Sequence, residues 1–278
     1  MSLLVVGALH LDVVLRAPHL PALDETVAGS SVDYVFGGKG GNQAVAAARM
    51  GAEVAFAGRV GTDGFGVMIR DTLTASGVQL TQLQTDPGPS GMSAAIVDAQ
   101  GEYGAVIVSA ANLNIEADRV SIPPGTKLVL LQNEVPETVN LPVARRAKAA
   151  GAVVWLNAAP ARTLPGALSD ELDLMIVNRV EAAHYAGVDV PKLETLGADG
   201  VRYGGAHMTG FPVNVASTHG AGDMFAGALA AQVLDGHRIE DAIPFAQAAA
   251  ALHVASPVPE RANLTRNRVE TFLRDQRR

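Results

Sequence analysis

The stretch Thr218-His219-Gly220-Ala221-Gly222-Asp223 sets small residues and a carboxylate directly before an apolar run of helical length. Small residues let backbone approach a ligand closely. At a helix start, the N–H groups of Gly220, Ala221, Gly222 and Asp223 meet the positive end of the helix dipole, an arrangement that suits a transferring phosphoryl group. Asp223 would then stand beside this anion hole as the catalytic base for an incoming hydroxyl. The same residues also allow a plain loop with Asp223 as an N-terminal cap. A second stretch, Phe36-Gly37-Gly38-Lys39-Gly40-Gly41-Asn42-Gln43-Ala44, also precedes a helical pattern. It is not a P-loop, because its Gly-Lys pair is followed by Gly rather than Ser or Thr. Nor does its glycine spacing match the dinucleotide fingerprint. Its glycines could set backbone against a polyol, with Lys39 and Asn42 as donors; the alternative is a helix-starting turn with an exposed Lys39. A third stretch, Asn178-Arg179-Val180-Glu181, places an amide and an acid at i, i+3 on one helical face. They could orient water on a phosphate-bound magnesium, or cap the helix.

These residues must be held by larger elements. Apolar runs at 3–9, 53–60, 127–132, Val153–Asn157 and 174–177 read as strands. Amphipathic segments at 41–50, 65–76, Glu137–Ala149, near Glu181, Ala221–Leu234, Ile239–Ala255 and 264–274 read as helices. Such alternation predicts a three-layer α/β/α sandwich around a mostly parallel sheet. Two segments, 13–36 and 92–108, alternate apolar and polar residues around turns instead. They predict antiparallel strands forming a small β lid over the site, with a dimer-forming flap as the alternative or companion role.

The chain has 278 residues, which fits one large domain spanning 1–278. Hydrophobic residues make up 48% and charged residues 18%, which argues against disorder. The net charge of -7, with Lys/Arg only in short pairs such as Arg145-Arg146 and Arg277-Arg278, argues against nucleic acid as a partner. No cysteine is present, so disulfides, thiolate zinc sites and Cys nucleophiles are excluded, and a cytoplasmic location is expected. The first apolar run lacks a preceding basic region and reads as a buried strand rather than a signal peptide. The apolar stretches 224–234 and 248–255 fall short of the ~18 residues of a membrane span.

In order and placement, the three motifs together resemble the ribokinase-like (PfkB) family of carbohydrate kinases, over nearly the whole chain. Residues 36–44 look like the family's N-terminal signature, Gly220–Asp223 like its C-terminal signature, and Asn178–Glu181 like its Asn-x-x-Glu motif. The resemblance implies phosphorylation of a sugar hydroxyl by ATP and Mg2+, ribose or a related pentose being the leading substrate. It casts Asp223 as base and Gly220, Ala221 and Gly222 as anion hole. His10, Asp12, Gly38, Lys39, Asn42 and Glu134 would line the sugar pocket. Asn178, Thr195, Gly197 and Gly222 would meet the nucleotide, and Glu181 would reach magnesium through water. Segments 36–44 and 157–162 look most like the ribokinase branch. A homodimer through the lid is expected. A nucleoside kinase of the same family and a non-catalytic sugar-binding relative are the alternatives.

The pattern departs from the family in places. His10 stands where ribokinases usually carry Asn, which bears on sugar identity. Ser217 replaces the Asp that opens the C-terminal signature, and 255–261 carries Pro257 and Pro259 in place of the glycine of the cation loop. A potassium requirement is therefore disfavoured. Between Val190 and Leu196 a helix of the family is missing, which predicts an altered sheet edge beside the nucleotide.

Overall fold

A computed structural model describes residues 2–276; Arg277 and Arg278 lie outside them. The chain opens with β1 (Leu3–Val6), a hairpin of β2 (His10–Arg16) and β3 (Ser31–Gly37), and helix α1 (Lys39–Arg49). Then come β4 (Val54–Gly61), α2 (Gly64–Ala75), β5 (Gln79–Asp86) and a second hairpin of β6 (Met92–Val97) and β7 (Tyr103–Val108). The middle of the chain holds β8 (Leu128–Gln132), α3 (Glu137–Ala149), β9 (Val153–Asn157), the short α4 (Gly166–Ser169), β10 (Leu174–Asn178) and α5 (Arg179–His184). After β11 (Lys192–Thr195), β12 (Val201–Tyr203) and β13 (Ala206–Met208), the helices α6 (Ala221–Leu234), α7 (Ile239–Ala255) and α8 (Arg266–Gln276) complete the fold.

Nine strands form the main sheet in the order β13-β12-β11-β10-β9-β8-β1-β4-β5, parallel except for the antiparallel β12 and β13 at one edge. Successive side chains of a strand point to opposite faces, and the core obeys this period. Leu3, Val5, Leu128 and Leu130 pack with α1, α2, α6, α7 and α8, whereas Leu4, Val6, Val129 and Leu131 pack with α3. Both faces are covered, so the central strands are apolar throughout, as parallel sheets require. Trp155 packs into the first of these cores. The expected three-layer α/β/α arrangement is therefore observed. Among the described residues no helix is long and apolar enough to cross a membrane.

The two hairpins make a second sheet in the order β3-β2-β6-β7. Each hairpin is antiparallel, as its alternation predicts, but β2 and β6 join in parallel. The reason is positional: β2 leaves the end of β1 and β6 leaves the end of β5, and those two strands point the same way in the main sheet. This join sets Asp12 opposite both Val35 and Ser93. Strand β5 was not apparent from the sequence. It is an edge strand with Gln79, Gln82 and Gln84, too polar to read as a strand of a buried sheet.

Candidate active site

In open α/β sheets, ligands bind outside the carboxyl ends of the parallel strands. The polar residues gather at that edge: Asp12 beyond β1, Gln132 and Glu134 at β8, Asn157 at β9, Asn178 at β10 and Thr195 at β11.

Helices α1 and α6 run side by side in the same sense, so both N-termini open onto this edge. Gly227 permits their close approach. A Cβ there would lie 2.6 Å from the Ala46 Cβ and 2.6 Å from the Gln43 carbonyl oxygen. One turn earlier on the same face of α6 stands Asp223, only 7% exposed. Its Oδ2 accepts from Asn42 Nδ2 at 3.1 Å and its Oδ1 from Gln43 Nε2 at 2.9 Å. Gln132 Nε2 donates to Gln43 Oε1 at 2.9 Å, which turns the Gln43 amide nitrogen toward the carboxylate. Asn140 Nδ2 in turn holds the Gln132 carbonyl at 2.8 Å. Burial pushes the Asp223 carboxyl above its ordinary range, while Lys39, Gln43 and Asn42 pull it back. A buried carboxylate with a raised pKa and two fixed donors is suited to take a proton near neutral pH.

Ahead of Asp223, Gly220 caps α6 at φ 76°. The first-turn N–H groups of a helix have no intrahelical acceptor; Ala221 N makes a long bond of 3.3 Å back to Thr218 O, and Gly222 and Asp223 present their donors to the cleft. That cleft has a volume of about 530 Å³ and is bounded by Lys39, Asn178, Glu181, Thr195, Gly197, Thr218 and Gly220 to Asp223. Lys39, expected beside the sugar, thus shares a wall with Asp223 and the nucleotide-side residues. A second cavity of about 520 Å³ shares Thr195, Gly197, Thr218 and Gly222 with it and is walled by Val201, Phe211, Phe225 and Val254. Its apolar walls suit a flat heterocyclic base. Only a seven-residue link joins α5 to β11, yet β11 pairs in parallel with β10 and the apolar cavity forms beyond it.

Asn178 and Glu181 form a reciprocal capping box at the start of α5. Asn178 N donates to Glu181 Oε2 at 2.8 Å, Asn178 Nδ2 to Oε1 at 3.0 Å, and Glu181 N to Asn178 Oδ1 at 2.9 Å. The capping role is therefore real, and it presents both side chains to the cleft wall. With both its carboxylate oxygens engaged, Glu181 would meet a metal through water. Among the described residues no cluster of three or more His, Cys, Asp or Glu could hold one directly.

On the opposite side, Gly38 caps α1 at φ 87°, and Lys39 N donates to Glu134 Oε2 at 2.7 Å. Burial raises the Glu134 carboxyl; Lys39 counters this, and the Asp223 and Asp12 charges add to it. Lys39, whose backbone N–H Glu134 accepts, also lines the cleft with Asp223. Asp12 Oδ1 accepts from Ser93 Oγ at 2.5 Å, which leaves Oδ2 for other donors. His10 is buried with its Nε2 unpartnered, and burial lowers its pKa against the opposing effect of Asp12. The turn that carries it is fixed by Asn112, which accepts from Leu9 N at 2.9 Å and donates to Leu9 O at 2.8 Å.

Gln43, Gln132, Ser93 and Asn112 carry much of this geometry but stood out from no local pattern. A signal did exist for Gln43 and Gln132, since each is a polar residue inside an otherwise apolar or small-residue run.

The chain matches the pfkB family carbohydrate kinase profile over residues 1–263. It is 34% identical to the ribokinase of Bacillus subtilis, covering 98% of this chain and 99% of that one. It is 32% identical to the ribokinase of Haemophilus influenzae, covering 98% of each. The structure superposes on Arabidopsis thaliana ribokinase complexed with ribose and ATP with a TM-score of 0.87 at 28% identity, covering 98% of both chains. The protein therefore belongs to the pfkB family of carbohydrate kinases and is a phosphotransferase acting on a sugar hydroxyl.

Proposed function

We propose that this protein transfers the γ-phosphoryl group of ATP to a primary hydroxyl of ribose or a closely related pentose, with Asp223 as the base. The observation that carries this reading is the buried Asp223 carboxylate, held by Asn42 and Gln43 at the N-terminus of α6 and facing the cleft. Ribose and ATP are favoured because the ribokinases above are similar over their whole length and the Arabidopsis structure holds both.

Asp12, Asn42 and Glu134 grip the sugar hydroxyls and the apolar cavity takes the base of the nucleotide. The phosphates lie across Thr195, Asn178 and the start of α6. Asp223 accepts the proton of the attacking hydroxyl as the oxygen–phosphorus bond forms, and ADP leaves with the electrons of the broken bond. The N–H groups of Gly220, Ala221 and Gly222, together with the Lys39 ammonium, hold the negative charge on the equatorial oxygens. Magnesium, bound with the nucleotide, would neutralise phosphate charge; Asn178 and Glu181 fit the role of holding its waters. His10, neutral and with one ring nitrogen free, faces a hydroxyl as donor or acceptor and contributes to the choice of sugar.

The lid supports a homodimer. Strand β7 is an edge strand exposed along its length, with Tyr103 71%, Val106 67% and Ile107 66% exposed. Apolar edges of this kind pair with another strand, here a second copy of the chain.

The test is ADP release from MgATP with a panel of free pentoses, hexoses and nucleosides. Turnover highest with ribose supports the reading, turnover only with a nucleoside replaces its substrate, and silence across the panel overturns it. Sedimentation analysis checks the dimer: a monomer at micromolar concentration contradicts it.

A further inference from the structure

The anion-hole loop is held from behind by one buried cation. Arg261 lies in the 3-10 turn Val258–Asn263 after α7 and is only 7% exposed. Its three donor groups all end on backbone carbonyls. Nη2 donates to Ser217 O at 2.8 Å, Nη1 to His219 O at 2.9 Å and Nε to Ser256 O at 3.2 Å. Among the described residues it has no carboxylate partner. The neighbouring Glu260 is exposed, and the other titratable groups bonded to Arg261 or to its carbonyl partners are basic: Arg49 Nη1 donates to Arg261 O at 3.1 Å, and His253 Nε2 bonds the carbonyl of the exposed His219 at 3.0 Å. Burial and the nearby Arg261 charge lower the His253 pKa to about 4, so it bonds as a neutral imidazole donor.

A buried charge without a counter-ion is costly unless dipoles replace its water. Here the dipoles are carbonyls converging from two separate loops, the kind of shell that backbone also offers to an alkali-metal ion. The peptide unit is planar and trans, so the carbonyl of residue i and the N–H of residue i+1 point in opposite directions. Drawing His219 C=O and Ser217 C=O back onto the guanidinium therefore turns the N–H groups of Gly220 and Thr218 the other way. Both residues line the cleft with Asp223.

We propose that Arg261 is a built-in cation, a positioning residue that occupies the place of a monovalent metal ion and aims the anion-hole N–H groups at the phosphoryl group. The inference rests on the kinase reading above. It explains how the loop is held although Ser217 offers no carboxylate and 255–261 has no glycine. It also makes phosphoryl transfer independent of which alkali cation is supplied.

The experiment compares wild type, Arg261→Ala and Arg261→Lys in potassium, sodium and choline chlorides. Wild-type turnover is expected to be equal within about twofold in all three, the spread of ordinary ionic-strength effects. Arg261→Ala should lose roughly 10- to 100-fold in kcat in choline, with the sugar KM little changed, the range for an Å-scale misplacement at the reacting groups. Millimolar guanidinium or potassium should restore much of that loss, and Arg261→Lys should fall between the two. Calorimetric binding of MgATP gives a readout that needs no acceptor. It should be cation-independent in wild type, weakened in Arg261→Ala in choline, and regained with guanidinium. If wild type binds MgATP but phosphorylates nothing in the panel, the substrate reading fails while the binding data still decide the role of Arg261. Strong potassium activation of wild type overturns the proposal. So does full function of Arg261→Ala in choline, or a loss in a folded variant that neither cation restores. Should Arg261→Ala not fold, the lysine variant carries the same comparison.

Discussion

The substitution Gly227→Ala tests whether helix packing sets the catalytic geometry. The new Cβ would lie 2.6 Å from the Ala46 Cβ and from the Gln43 carbonyl oxygen, where ordinary contact begins at 3.4 Å. Both neighbours belong to α1, one of them backbone, so α1 and α6 must separate by roughly an ångström. Overpacking of this kind costs about 1–3 kcal/mol. In a chain of this size that lowers Tm by about 2–5 °C. The same movement acts on the bonds from Asn42 and Gln43 to Asp223, now 3.1 and 2.9 Å, and stretches them beyond useful reach. A misplacement of about 1 Å at the reacting groups costs up to about 10²-fold in rate. Thermal unfolding and steady-state ADP release, measured on one preparation, should therefore fall together. Gly64→Ala is the control: nothing lies within 4 Å of its Cβ position, so it should be neutral or slightly stabilising. Unchanged Tm and turnover in Gly227→Ala would refute the packing argument. A lower Tm with unchanged turnover would refute the link from helix spacing to Asp223.

Further expectations concern the carboxylates. Asp12→Ala leaves sugar hydroxyls unpaired and should weaken sugar binding by about 10- to 100-fold, corresponding to 1–3 kcal/mol; calorimetry with ribose checks this, and MgATP binding should not change. Gln43→Leu removes one donor to the ionised Asp223, so its pKa rises further and the acid limb of the pH profile of kcat/KM moves to higher pH; an unmoved limb contradicts Asp223 as the titrating base. Asp223→Asn should raise thermal stability relative to wild type at neutral and alkaline pH. The folded-state pKa of Asp223 lies above its unfolded value, so its contribution to wild-type stability is fully present below the unfolded pKa and lost as pH rises through the folded one. The Tm difference between variant and wild type should accordingly shrink as pH falls toward the ordinary carboxylate range, and a difference that grows there has the wrong sign.

What was legible in the sequence divides along the range of the interactions. Strand–helix alternation reports burial on each element by itself, so β1, β4, β8, β9 and β10 and the helices α1, α2 and α3 were readable from their patterns, whereas the four-residue α4 was too short to show one. The carboxylate, the small residues and the helix start of Gly220–Asp223 adjoin in the chain, so the helix start and the placement of Asp223 in its first turn were readable there too. Edge strand β5 was not readable, because Gln79, Gln82 and Gln84 break its apolar pattern, and the buried Gln84 is satisfied only by the distant Glu116 backbone, donating to its carbonyl and accepting from its N–H. Ser93 was not readable because its meeting with Asp12 depends on the parallel register between two hairpins 81 positions apart. The Gln132–Gln43–Asp223 relay spans β8, α1 and α6; a polar residue inside an apolar or small-residue run hints at a buried glutamine, but which partners it meets depends on the fold. Arg261 was not readable for a similar reason: the missing glycine and the two prolines of its loop were visible, but two of the three carbonyls it gathers, those of Ser217 and His219, lie more than 40 positions away.

The most direct measurement of the central claim is phosphorus NMR of the product formed from ribose and MgATP by wild type and by Asp223→Asn. Wild type should give a ribose monophosphate ester on the primary hydroxyl together with stoichiometric ADP. Asp223→Asn should form it about 10²–10⁴-fold more slowly, the range for losing a positioned base, while binding ribose with little change. Near-normal ester formation by Asp223→Asn, or free phosphate in place of the ester in wild type, would contradict the assignment of Asp223 as the base for transfer to a sugar hydroxyl.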